Sequence, residues 1–171
     1  MIRRALLLAC LATVATDAPA SAYVARGPSW PEGEVTYSSR TPAYTAAIDR
    51  AARLIDHARV GVRLRRVTAD ADVVFVYQGA ACEGAAHVGR WRRTSTVWLG
   101  RGCGRDLVAL TAVHELGHVL GLDHENSTCA RMNPIYDDSG TPGRCRHRSL
   151  SYWLAHPLTA DDLRGLRALY R

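Results

Sequence analysis

Apolar and polar residues alternate from Glu34 to Ser38 (EVTYS), the two-residue period of a strand. From Ala43 to Arg59 the period lengthens, and Ala47, Ala51, Leu54, Ile55 and Ala58 fall on one face of a helix. Alternation returns over Val60 to Arg65 (VGVRLR), and Val73 to Tyr77 (VVFVY) is a continuous apolar run typical of a buried central strand. The glycine-rich stretch 79–104 holds two shorter strand candidates, Ala85 to Trp91 and Thr94 to Leu99, followed by a helix predicted over 106–120. A last helix is predicted over 159–170, with Thr159 as N-cap and Asp162 at the third helical position. Strands and helices in this mixture predict one α+β unit, with no internal repeat and no low-complexity segment.

Composition supports a folded domain. The 171 residues are 47% hydrophobic and 22% charged, enough to bury a core and too apolar for a disordered chain. The first residues split off from the rest. Met1-Ile2-Arg3-Arg4, the apolar run Ala5 to Ala12 and the small-residue site Ala20-Ser21-Ala22 read as an export leader over 1–22, with the folded domain over 23–171. Leu7-Leu8-Ala9-Cys10 also resembles a lipobox, which would anchor the chain through Cys10, but only five apolar residues separate Arg4 from Cys10. No later run approaches the roughly 20 apolar residues a membrane span needs. The formal charge of +6 is carried wholly by arginine. The clusters Arg63-Arg65-Arg66 and Arg144-Arg146-Arg148 are read as solvated faces, not as a nucleic-acid surface.

Export changes the reading of cysteine. Without Cys10 the chain keeps Cys82, Cys103, Cys129 and Cys145, an even number in a disulfide-permissive compartment, and no CxxC spacing suggests a zinc ribbon. Four cysteines admit three pairings. The local one, Cys82 with Cys103 and Cys129 with Cys145, closes two modest loops, each stabilising by roughly 3 kcal/mol. Turn-forming residues at 138–140 and 141–143 suit the second loop. The crossed pairing Cys82–Cys129 and Cys103–Cys145 would tie the strand region to the later segment.

The chemistry concentrates in AVHELGHVLGLDHE, residues 112–125. His114 and His118 are four apart and share a helical face, so two imidazoles can hold one ion. Glu115 is rotated off that face, placed to act as a base toward water and not as a ligand. Gly121 can take positive φ and end the helix, and His124 can then return as a third nitrogen. Three neutral imidazoles leave one tetrahedral position open, the arrangement of a catalytic zinc. His57, His87, His147 and His156 lack ligand spacing.

HELGHVLGLDH resembles the metzincin signature HExxHxxGxxH. Cys129 to Tyr136 (CARMNPIY) resembles the Met-turn of the matrixin branch, with Met132 beneath the metal and Pro134-Ile135-Tyr136 as a pocket wall. Residues 158–170 are similar to the matrixin terminal helix, whose paired aspartates brace the Met-turn; weaker matches lie at Trp30 to Tyr37 and Ala71 to Val73. The resemblance implies a twisted, mostly parallel sheet of about five strands with an antiparallel edge strand, three helices, and an active-site helix followed by the Met-turn. It implies an exported, zinc-dependent endopeptidase using one catalytic Zn²⁺, with His114, His118 and His124 as ligands and Glu115 as general base. A protein or peptide substrate would lie extended and antiparallel along the edge strand near Ala85 to Trp91. Leu110, Val113, His114, Pro134, Ile135 and Tyr136 would line a pocket for an apolar side chain after the scissile bond.

Departures bear on regulation. Only a few residues lie between Ala22 and Trp30, so no cysteine-bearing pro-segment is expected. Ala86-His87-Val88 echoes one element of the matrixin structural-ion sites without its partners, which leaves a calcium requirement open and casts the disulfides as the staples. A monomer is expected. A non-catalytic zinc module would have no need of Glu115; an amidohydrolase acting on cell-wall peptides or a modified sugar, and a toxin or signalling factor that chiefly binds a partner, would use the same residues.

Overall fold

The computed structural model describes residues 22–31 and 33–171, so the leader expected over 1–22 lies outside the described residues except for Ala22. The strands are β1 (Val24–Ala25), β2 (Glu34–Ser39), β3 (Arg63–Arg66), β4 (Val73–Tyr77), β5 (Gly84–Ala86), β6 (Ser95–Leu99) and β7 (Leu122–Asp123). The helices are α1 (Thr45–His57), α2 (Arg105–Val119), α3 (Leu150–Ala155) and α4 (Ala160–Leu169). Five strands form one sheet in the order β3-β2-β4-β6-β5, parallel except for β5, which pairs antiparallel with β6 at the edge. The mostly parallel sheet with an antiparallel edge strand, and the three long helices α1, α2 and α4, are those expected. The short α3, in the arginine-rich connection, was not expected; Ser149 caps it by accepting the amide of Tyr152.

The strands bury one face. Val35 and Tyr37 of β2, Leu64 of β3, Val73 and Phe75 of β4, and Val97 and Leu99 of β6 point into the core, where α1 supplies Ile48 and Ile55 and α2 supplies Ala109, Val113 and Leu116. Val74 and Val76 of the apolar run in β4 face outward and are half-buried, so the strand is central but covered on one side only. Lateral pairing, with β2 on one side and β6 on the other, accounts for its apolar sequence as much as burial does.

Two boundaries differ from the sequence reading. The strand expected from Val60 begins at Arg63, because Arg59 and Gly61 take positive φ (51° and 88°) and Gly61 lies against the carbonyl of Tyr170, where a side chain would collide. The strand expected over Ala85 to Trp91 ends at Ala86. Past it Gly89, at φ 75°, packs on Gly27 and gives its amide to the carbonyl of His118, so the chain leaves the sheet.

Candidate active site

Helix α2 has apolar or buried residues on nearly all sides and runs beneath the sheet edge, carrying His114, Glu115 and His118, each about 95% or more buried. After Leu120, Gly121 adopts φ 108° and the chain reverses into β7, delivering His124 to the same spot. The antiparallel β1–β7 pair and an Arg26–Asp123 ion pair of 3.2 Å hold this return.

The imidazoles are oriented from behind. His114 Nδ1 donates to the carbonyl of Arg131 and His118 Nδ1 to that of Leu122, each at 2.8 Å. A carbonyl only accepts, so both Nδ1 atoms carry the proton and both Nε2 atoms present lone pairs. Burial lowers both pKa values, that of His114 most, with the neighbouring His118 adding to it, so the rings are neutral. His118 Nε2 and His124 Nε2 stand 3.2 Å apart, and one nitrogen of each of the three rings lies within 4.8 Å of the others. Nitrogens on a tetrahedral zinc at about 2.0–2.1 Å are separated by about 3.3 Å, so the group fits such an ion.

Glu115 confirms the fit from another side. Its Oε2 is buried without a hydrogen-bond partner, and burial pushes its carboxyl up to about 8. Such an atom calls for a proton, a cation or a polarised water beside it. A Cβ on Gly84 would stand 2.5 Å from Glu115 Oε1, so the carboxylate lies directly beneath β5. Only a glycine on that strand admits it.

The segment beneath the histidines is braced by α4. Met132 donates its amide to Asp162 Oδ1 at 3.2 Å, and Arg131 donates its amide to Oδ2 at 2.8 Å. The same carboxylate completes the expected capping box with Thr159. Met132 packs under α2 at Gly117, where a Cβ would lie 2.5 Å from its sulfur. A glycine inside a helix costs roughly 1 kcal/mol, and this contact is what requires it.

A cleft of about 760 Å³ opens over these residues. Gly84, Ala85 and Ala86 form one side, and Leu110, Pro134, Ile135 and Tyr136 form the expected wall on the other. Val113 does not line it. Val113 is fully buried with Ala109 and Leu116 on the core stripe of α2, whereas Leu107, Leu110, Thr111 and His114 follow one another along the cleft face. The Tyr136 hydroxyl sits on His114 Nδ1 and on the Arg131 carbonyl, so it also steadies the first imidazole.

Both disulfides take the local pairing, Cys82–Cys103 and Cys129–Cys145, which excludes the crossed alternative. The other histidines lie away from the centre. His57 ends α1, His87 stacks on Trp91, His147 pairs with Asp137 at 2.8 Å, and His156 stacks on Tyr152.

Sequence reasoning missed Arg131, which is fully buried. Its Nε donates to the carbonyl of Pro157 at 2.8 Å and its Nη1 to that of Gly140 at 3.0 Å, while its guanidinium lies over the rings of Tyr136 and Trp153. An arginine next to an Asn-Pro turn carries no sequence signal for burial. Leu107 and Thr111 were legible from helical phase with His114.

Comparison with known proteins agrees with this geometry. The chain is 37% identical over 106 residues to "Astacin-like metalloprotease toxin 1" of Loxosceles intermedia, covering 60% of this chain and 38% of that protein. It is 44% identical over 63 residues to "Macrophage metalloelastase" of Oryctolagus cuniculus, covering 36% of this chain and 11% of that protein. With "Matrix metalloproteinase-16" of Homo sapiens it shares 40% identity over 67 residues, 39% of this chain and 9% of that one. The chain thus spans well under half the length of these relatives. Residues 23–136, which reach from the first described strand through the histidine segment to Tyr136, match the description Astacin (Peptidase family M12A), and the chain belongs to that family.

Proposed function

We propose that this chain is an exported zinc-dependent endopeptidase that cuts extended polypeptides, with a matrixin-like pocket after the scissile bond. The observation that carries it is the buried, unpartnered carboxylate of Glu115 beside three convergent imidazoles, on the floor of a cleft bordered by an edge strand.

His114, His118 and His124 would hold the zinc, which when bound supplies Lewis-acid activation of water and of a peptide carbonyl. Glu115, whose carboxylate reaches the same cleft as the three imidazoles, would take the proton of the attacking water and return it to the leaving amine. Among the described residues edge strand β5 has no partner on its outer side, so a substrate can add to the sheet antiparallel to it, with its carbonyls and amides satisfied by Ala85 and its neighbours. Leu107, Leu110 and Ile135 favour an apolar side chain in the pocket beyond the cut. The leader sequence and the two disulfides support export, and no described helix is long and apolar enough to cross a membrane.

Casein zymography of the full chain, with chelator and with zinc restored, is the direct test. A cleared band that chelator abolishes and zinc restores is expected. A chain that binds zinc yet clears neither casein nor a diverse peptide library would overturn the reading, and activity confined to a muropeptide digest would replace it with an amidohydrolase.

A further inference from the structure

The connection from β5 to β6 carries an exposed tip, Arg90-Trp91-Arg92-Arg93. Trp91 is 45% exposed, whereas Trp30 and Trp153 are buried. It stacks on His87 with ring centroids 4.5 Å apart, and the Arg92 guanidinium lies 5.9 Å from its ring centre. Arg90, Arg92 and Arg93 enter no ion pair among the described residues, and the sequence holds no carboxylate between Glu83 and Asp106. Trp91 and the three guanidinium groups beside it give the tip apolar area and positive charge together.

The tip is also fixed in place. Gly89 donates its amide to the carbonyl of His118 at 2.7 Å, Arg90 to that of Pro28 at 3.0 Å, and Trp91 to Ser95 Oγ at 3.2 Å. Gly89, at the base of the tip, is thus tied through backbone to His118. Strand β5 runs from Gly84 to Ala86 and on toward His87 and the tip. A peptide lying antiparallel to β5 runs the other way, so the tip stands beside residues that precede the cut.

We propose that Arg90, Trp91, Arg92 and Arg93 form an exosite for an acidic segment of the polypeptide substrate, upstream of the scissile bond. This rests on the endopeptidase reading above. Guanidinium groups bind carboxylates in pairs of parallel hydrogen bonds, and the indole lies beneath the guanidinium of Arg92. The exosite selects acidic substrates and fixes their direction in the cleft, since the opposite orientation would take the acidic segment away from the tip.

Two peptides with one cleavable core, bearing three glutamates or three lysines upstream, test this. Binding is read by anisotropy on the zinc-loaded Glu115→Gln chain, separately from turnover. The acidic peptide is expected to bind roughly tenfold tighter at low salt, with the difference fading near 0.5 M salt, where the Debye length is about 4 Å. The double reversal Arg92→Glu, Arg93→Glu should invert the preference, and in the active chain it should move KM and leave kcat unchanged. Equal affinity for both peptides, an unchanged preference after reversal, or binding of anionic vesicles or heparin without any peptide preference would overturn the exosite. If Glu115→Gln prefers the acidic peptide while the unaltered zinc-loaded chain cuts neither, the endopeptidase reading fails and with it the exosite's role toward a substrate, leaving only acidic-peptide binding at the tip.

Discussion

Met132 hangs from Asp162: the methionine amide donates to Oδ1 at 3.2 Å, while Oδ2 takes the amide of Arg131 at 2.8 Å and caps α4 through Thr159. One buried carboxylate thereby joins the last helix to the turn beneath the histidines. Burial pushes its pKa up and its donors pull it back, so the group is spoken for on both oxygens. The Arg131 carbonyl in turn accepts from His114, which completes a path from α4 to the metal-binding ring.

Asp162→Ala should therefore weaken two things together. Removing a buried acceptor that leaves several amides unsatisfied costs on the order of 2–4 kcal/mol. Thermal unfolding should shift down, and zinc affinity, read by chelator competition, should fall with it. Asp162→Asn, which keeps one acceptor oxygen, should lie between. Unchanged zinc affinity in a destabilised Asp162→Ala chain would confine Asp162 to folding.

The third ligand separates from its neighbour in the same assay. His124→Ala removes one of the three nitrogens, so zinc affinity and peptide cleavage should drop together by orders of magnitude. Asp123 points elsewhere, with Oδ1 on the His124 amide and Oδ2 on Arg26. Asp123→Ala should cost no more than severalfold. The reverse ranking would mean two histidines and a carboxylate hold the ion.

Regular elements and the centre were legible in the sequence because both rest on local spacing. The histidines at 114 and 118 need only a helix, Gly121 only a turn, and Asp162 only its offset from Thr159. What escaped depends on contacts distant in sequence. The edge strand stops at Ala86 because Gly89 packs on Gly27, 62 positions earlier, and nothing within 85–91 says so. Arg131 is buried because Pro157, Gly140, Tyr136 and Trp153 close round it. Val113 failed for a narrower reason. Adjacency to His114 suggested the cleft, but one step along a helix turns a side chain by about 100° toward the core.

Glu115→Gln should keep zinc, since the three histidines are untouched, and lose peptide cleavage by several orders of magnitude. In metal-free protein it should do the opposite of harm. The folded carboxyl lies near 8 against an ordinary value of 4.5, so the native state of the unaltered chain holds a proton that the unfolded chain releases. Its stability contribution is present below about pH 4.5 and is lost as pH rises toward 8. Glutamine stays neutral throughout. Metal-free Glu115→Gln should thus match the unaltered chain near pH 4.5 and exceed it at pH 8, by up to about 4 kcal/mol. Denaturant midpoints at the two pH values check it, and a constant difference between the two proteins would sink the linkage.

The Cys129–Cys145 bridge closes a loop with a sequence separation of 16 that contains Met132 and the wall Pro134 to Tyr136. That loop has other fastenings. Tyr136 bridges to Pro142, Gly143 donates to the Ile135 carbonyl at 2.8 Å, Arg144 donates its amide to Asn133 Oδ1 at 3.0 Å, and Arg131 reaches Gly140. The double variant Cys129→Ser, Cys145→Ser should consequently remain folded, losing roughly 3 kcal/mol of stability, the entropy of a loop this size. The wall should loosen first, because Pro134, Ile135 and Tyr136 sit inside the loop while the metal ligands lie outside it. Zinc affinity should hold, and discrimination among apolar side chains after the cut should flatten. Breaking Cys82–Cys103 should act differently. That bridge brackets β5, so its loss should raise KM across all substrates without altering which side chain is preferred. Peptide mapping of the unreduced chain, followed by cleavage profiles of both double variants, separates the two effects. A Cys129–Cys145 variant with an intact side-chain preference and a uniformly raised KM would show that the wall is held by its hydrogen bonds alone.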